Sequence, residues 1–197
     1  MRVKICGITN GDDAGMCEDE GADALGFVHV EGRSRSLPLR DIRDICSTLG
    51  PMTTTVLVCS PSSVFEAADL FDQSGVHVLQ LHSLEPDQVS SLYDQDISVI
   101  RAVRPDRLEA MRYANQVHAL LFEHGKPGTG TPYDYSRVPL DCHPRSIIAG
   151  GLTLENLDTA ISMRPYALDV SSGVELTEGR KDPELVSKFV GRCKNGR

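Results

Sequence analysis

Eight short apolar runs punctuate the chain: "VKIC", "ALGFVHV", "TTVLVC", "HVLQLH", "SVIRAV", "HALLF", "SIIAG" and "ALDVSS". Each is bounded by glycine, proline or polar residues and is too short for a helix, so each reads as a buried strand. Successive runs begin roughly 20 to 30 residues apart, the length of a strand, a returning helix and two short loops. Helical patterns occupy the intervals at 12–20, 39–49, 62–73, 86–95, 106–114, 153–163 and 183–193. Asp182-Pro183 matches an N-cap followed by proline at the first helical position, and Thr153 and Asn156 are alternative starts for the preceding helix. Between 122 and 146 the pattern weakens around Gly125, Pro127, Gly128, Gly130 and Pro132. This predicts a long functional loop rather than a linker, because strand signals resume directly after it. Eight strands alternating with helices predict an α/β fold, a (β/α)8 TIM barrel forming a single domain over 1–197. An open doubly wound sheet is the alternative.

Barrel strands point alternate side chains inward. On the first run Val3 and Ile5 then face the helices while Lys4 and Cys6 face the interior; on the eighth, Leu168 and Val170 face outward, and Asp169 and Ser171 inward. The first and last strands are neighbours in a closed barrel, so Lys4 and Asp169 are expected as an interior ion pair, as buried charges require. The same sorting turns Gln80, His82, Arg101, Leu121 and Glu123 inward. Cys6, His82, Glu123 and Ser171 fall at carboxyl ends of strands, the face where barrels build their sites. Lys4 lies about 6.6 Å below Cys6, and its charge is expected to bring the thiol below its usual value of about 8.5, making a base usable near neutral pH. The plainer reading of Cys6 is a small buried hydrophobe.

Composition narrows the partners. Hydrophobic residues at 40% and charged residues at 24% exclude a largely disordered chain. The net charge of -8 argues against nucleic acid and anionic membranes, although a local pocket can still take an anion. No apolar run approaches the roughly 18 residues of a membrane span. Six cysteines without a C-x-x-C pair, and no leader-like segment before the first run, predict a reduced cytoplasmic protein without disulfides or zinc.

Three glycine-rich stretches follow late strands: "GTG" at 128–130, "AGG" at 149–151 and "SSG" at 171–173. Glycine lets backbone N–H groups converge on a phosphate. Each alone reads as a turn, but two of them after strands seven and eight match the common phosphate position of barrels. Glu123 is either a solvated loop carboxylate or an acid at the mouth. Arg35, in "GRSRSLP", is either a solvated loop arginine or a planar fork for a carboxylate or phosphate. His82 fits a satisfied strand-end histidine better than a proton carrier, Asp169 fits a structural ion pair, and Glu18, Asp19 and Glu20 fit a solvated helix face.

Taken in order, "KICGIT", "ADALGFV", "LQLH", "AGGLTLENL", "DVSSGVE" and "GRKD" resemble the phosphoribosylanthranilate isomerase family of the tryptophan pathway, over essentially the whole chain. The resemblance implies a barrel that uses no cofactor and no metal. It would rearrange N-(5-phosphoribosyl)anthranilate to 1-(o-carboxyphenylamino)-1-deoxyribulose 5-phosphate. It places the general base on Cys6 and the anthranilate carboxylate on Arg35. The phosphate falls on Gly150, Gly151, Ser171, Ser172 and Gly173, with Gly130 near the substrate. His82 and Asp169 complete the substrate-facing group. The family's general acid is an aspartate at the end of strand six, where this chain has Glu123, one methylene longer. "RSRSL", "VLVCS" and "QLHS" also depart from the family pattern. A small phosphorylated substrate and a monomer or homodimer are expected. The rival readings are a sister sugar-phosphate isomerase, which resembles an aspartate pair rather than a cysteine, and a phosphate-ligand binding protein descended from the isomerase.

Overall fold

Each apolar run becomes a strand of one closed parallel ring. A computed structural model describes residues 1–124 and 130–195. The strands are β1 (Arg2–Cys6), β2 (Ala24–His29), β3 (Thr54–Cys59), β4 (Val78–Leu81), β5 (Val99–Val103), β6 (Ala119–Phe122), β7 (Ser146–Ile148) and β8 (Ala167–Val170). They pair in sequence order, and β8 closes on β1 with Lys4 opposite Asp169. This is a (β/α)8 TIM barrel; the open sheet is ruled out by that closure.

The helices are α1 (Gly11–Asp19), α2 (Leu39–Cys46), α3 (Val64–Ser74), α4 (Pro86–Tyr93), α5 (Arg107–Tyr113), α6 (Leu157–Ser162) and α7 (Pro183–Asn195). Their starts follow local chemistry. Asn10, Ser63 and Asp106 each accept a hydrogen bond from the backbone N–H three residues on, at 2.8, 3.1 and 2.8 Å. The carboxylate of Asp182 accepts from Glu184 and Leu185, as the Asp-Pro signal predicted. Of the two starts open for the penultimate helix, the chain uses Asn156. Between β6 and β7 the described residues form two short 3-10 turns, Tyr135–Arg137 and Leu140–Cys142, and no α-helix. The long loop predicted there stands in a helix's place. After β8 comes a 3-10 turn, Ser172–Val174, and a small antiparallel hairpin of β9 (Glu175–Thr177) and β10 (Arg180–Lys181), which sequence patterning did not reveal.

The main core lies between strands and helices, where Ile5, Leu25, Phe27, Leu57, Leu81, Phe122 and Leu168 are buried. A second, smaller cluster of Ala102, Ala119, Leu121, Ile147, Ala149 and Ala167 fills one side of the barrel interior. Arg101 departs from its expected inward position. It pairs with Leu81 in register, on the outward face, while Ile100 pairs with Gln80 and packs against the inner cluster. Its guanidinium donates to the carbonyls of Leu81 and Ala102 at 2.9 and 2.6 Å and lies 4.6 Å from the centre of the Tyr113 ring, beneath α5. The inner wall at β5 is apolar, so the charge turns to the side that supplies carbonyl oxygens and a ring face.

Candidate active site

A cavity of ≈ 360 Å³ opens at the carboxyl ends of the strands. Cys6, Arg35, His82, Glu123, Gly130, Gly150, Gly151, Asp169, Ser171 and Ser172 all line it. Its size suits a small ligand. Of the residues singled out from sequence, Gly173 stands apart: a Cβ there would lie 1.9 Å from the Leu152 carbonyl oxygen. Gly173 therefore allows the β8 loop to press against the β7 loop instead of facing the cavity. Gly128 and Thr129 of the "GTG" stretch lie outside the described residues.

The floor is built by β1 and β8. Lys4 Nζ donates to Asp169 Oδ1 at 2.9 Å, and both side chains are buried. This is the interior pair predicted from strand parity. Burial works against the lysine's charge, but Asp169 and the neighbouring Cys6 outweigh it and raise its pKa above the ordinary value. Cys6 behaves differently from the sequence expectation. Burial pushes its thiol up, and this outweighs the lowering by Lys4. Parity revealed the lysine beside the cysteine but not how dry that position is.

His82, at the end of β4, has Nε2 3.1 Å from the Gln80 side-chain amide nitrogen. Burial, then the charges of Arg101, Lys4 and Arg33, push its pKa down to about 4. It is neutral at ordinary pH, consistent with a satisfied strand-end histidine. Glu123, half-buried just past β6, faces β7: its Cγ lies 3.3 Å from where a Gly150 Cβ would stand. Its backbone N–H donates to Val103 at 3.0 Å.

At the rim three segments converge on Gly7. This residue, at φ +73°, directly follows Cys6; a Cβ there would lie 2.6 Å from Arg35 Cδ and 2.9 Å from Ser171 Oγ. Only a glycine lets the arginine stem and the β8 loop both cross the end of β1. Arg35 does not reach the cavity alone. Its Nε and Nη2 donate to the two oxygens of Glu175 at 2.8 and 2.6 Å, and Nη1 lies 3.4 Å from Glu178. Glu175 also accepts from Lys181 Nζ at 2.9 Å. The sequence reading passed over Glu175, Glu178 and Lys181. Their charged "VELTEGRK" stretch directly after a glycine-rich loop was the available signal.

The arrangement can hold an elongated anion. Gly150, Gly151 and Ser172 line the same cavity as the Arg35 guanidinium, the Cys6 thiol and the Glu123 carboxyl, so anion-binding groups and groups able to move protons share one enclosure.

Comparison with known proteins gives the same direction. Residues 3–192 match the family model for N-(5'-phosphoribosyl)anthranilate (PRA) isomerase. The chain is 37% identical over 202 residues to the N-(5'-phosphoribosyl)anthranilate isomerase of Stutzerimonas stutzeri, covering 99% of this chain and 98% of that protein. It superposes on the crystal structure of phosphoribosyl anthranilate isomerase from Thermus thermophilus with a TM-score of 0.92 and 37% identity over 100% of both chains. A further solved isomerase, in complex with reduced 1-(o-carboxyphenylamino)-1-deoxyribulose 5-phosphate, gives a TM-score of 0.87 and 33% identity over 98% of both chains.

Proposed function

Since the chain belongs to the N-(5'-phosphoribosyl)anthranilate isomerase family, we propose how its cavity carries out the family reaction. The activity is an intramolecular aldose-ketose isomerisation in tryptophan biosynthesis. N-(5'-phosphoribosyl)anthranilate becomes 1-(o-carboxyphenylamino)-1-deoxyribulose 5-phosphate. The observation that carries the reading is the convergence of a thiol, a carboxyl, an arginine and the two late glycine-rich loops on one cavity.

The phosphate sits against Gly150, Gly151, Ser171 and Ser172, with Gly130 closing over it. Arg35 takes the anthranilate carboxylate. Two anchors at opposite ends fix the ribose between Cys6 and Glu123, which is an orientation effect. Glu123, protonated, gives its proton to the ring oxygen as the C1–O bond breaks. The nitrogen lone pair forms a C=N bond, leaving an iminium ion whose charge acidifies the proton on carbon 2. Cys6 as thiolate removes that proton, and the electrons form the C1=C2 bond of an enolamine that tautomerises to the ketone. Burial holds the Cys6 thiol up and the Lys4 charge opposes it, so the thiolate this step uses depends on Lys4. Each proton transfer contributes on the order of 10² to 10⁴ in rate.

The whole chain 1–197 acts as one domain, as a monomer or homodimer in the cytoplasm, on a small phosphorylated substrate, without nucleic acid or membrane. No helix among the described residues is long and apolar enough to cross a membrane.

The test is the fluorescence of freshly generated substrate mixed with the purified protein, beside Glu123→Gln. Rapid loss that Glu123→Gln abolishes supports the reaction and this acid. Loss unaffected by the substitution keeps the reaction and moves the acid elsewhere. No loss, despite tight binding of a product analogue, leaves a binding protein.

A further inference from the structure

The rim holds a charge cluster whose members lie far apart in sequence. Glu175, on β9, contacts Arg35 from 140 positions away, with its side chain 5% exposed. The same carboxylate accepts from Lys181 Nζ, whose side chain is fully buried and whose backbone N–H is held by Asp13 Oδ2 at 2.9 Å. Lys181 Nζ also reaches the Ser171 carbonyl oxygen at 3.3 Å. Glu175 is thus fixed from the β8 loop and from α1 before it meets the arginine.

A guanidinium offers two flat edges for a carboxylate, Nε with Nη2 and Nη1 with Nη2. Glu175 takes the first with both oxygens. Among the described residues the second edge meets Glu178, at 3.4 Å from Nη1, and that side chain is 63% exposed. Glu178 itself lines the cavity, beside Ser34, whose hydroxyl donates to it at 2.5 Å. Arg35 thus has one buried partner, Glu175, and one exposed partner, Glu178, on different edges. An incoming carboxylate can take the place of the exposed Glu178 on the second edge while Glu175 keeps the first.

We infer that Glu175 is a positioning residue for carboxylate recognition: it clamps Arg35 by one edge so that the other is presented, pre-aligned, to the substrate. This rests on the reading that Arg35 anchors the anthranilate carboxylate. Clamping in advance removes the rotamer entropy that a long arginine otherwise loses on binding.

A double-mutant cycle tests the inference, with Glu175→Gln, Arg35→Met and their combination measured for KM and kcat on the whole chain. Glu175→Gln is expected to raise KM about tenfold or more, with a smaller change in kcat, and to add little once residue 35 is methionine. An equal rise on both backgrounds, as a general structural loss would give, overturns the inference; so does no rise at all. If Arg35→Met raises KM and Glu175→Gln does not, the carboxylate reading stands and the role of Glu175 fails. If Arg35→Met leaves KM unchanged, the carboxylate reading itself fails. Should Glu175→Gln not fold, Glu175→Asp, which keeps the charge but gives up one methylene of reach, takes its place in the cycle with the same outcomes.

Discussion

Two buried charge groups adjoin the cavity, one at its floor and one at its rim. The floor group, Lys4 with Asp169, is balanced, and the Cys6 thiol lies beside it. The rim group, Arg35 and Lys181 around Glu175, has an exposed outer partner in Glu178, and both Arg35 and Glu178 line the cavity. A balanced buried pair cannot attract a ligand from a distance, but it can set the proton affinity of what lies beside it. A group with an exposed carboxylate partner can exchange that partner for an incoming anion. The floor is therefore suited to chemistry and the rim to recognition.

The sharpest way to break this division is Cys6→Ala. It should lower kcat by about 10² to 10⁴ while KM moves little; steady-state kinetics retaining turnover within about tenfold would move the chemistry away from the floor. Lys4→Met should cost about 3 to 5 kcal/mol in urea unfolding, because it strands Asp169 without a partner. Removing both charges as Lys4→Met/Asp169→Leu should recover most of that loss, and no recovery would mean that the residues do not act as a pair.

His82 sharpens the contrast through pH. Its pKa of about 4 in the fold lies below the ordinary 6.5, so folding favours the neutral ring. The contribution is full above pH 6.5 and is lost as pH falls from there through 4, amounting to about 3 kcal/mol. Urea unfolding at pH 7 and pH 4 should show His82→Gln losing correspondingly less than the parent; equal losses would remove His82 from the account. The smallest expected effect, remote from both groups, is Ser63→Ala at the start of α3. Loss of its 3.1 Å cap should cost about 1 kcal/mol by thermal unfolding and leave KM and kcat unchanged, giving a baseline for the other variants.

The strands and their faces were legible because a parallel barrel needs short apolar runs at regular intervals, and a side-chain period of two assigns Lys4 and Asp169 to one interior. Arg101 broke the rule because polar does not mean inward where the inner wall is alanine and isoleucine. The hairpin of β9 and β10 went unseen because strands of three and two residues have too little alternation to detect. Glu175 and Lys181 were invisible as a pair for Arg35, since nothing local marks a contact across 140 positions. The Cys6 thiol was placed correctly and its proton affinity misjudged in sign. Neighbours can be listed from sequence, but dryness is a property of the finished enclosure.

The seam between β1 and β8 sets a timetable for the chain's birth. Lys4 and Asp169 are separated by 165 positions. At synthesis rates of 5 to 20 residues per second, Lys4 waits about 8 to 33 s on the ribosome before its counter-ion is made. Throughout that interval Cys6 has no enclosure and titrates as an ordinary, oxidisable thiol. A nascent chain halted before β8 would hold Lys4 and the rim arginine without their buried counter-ions. The ring makes its site only on completion, so half-made molecules should be chemically vulnerable as well as inactive.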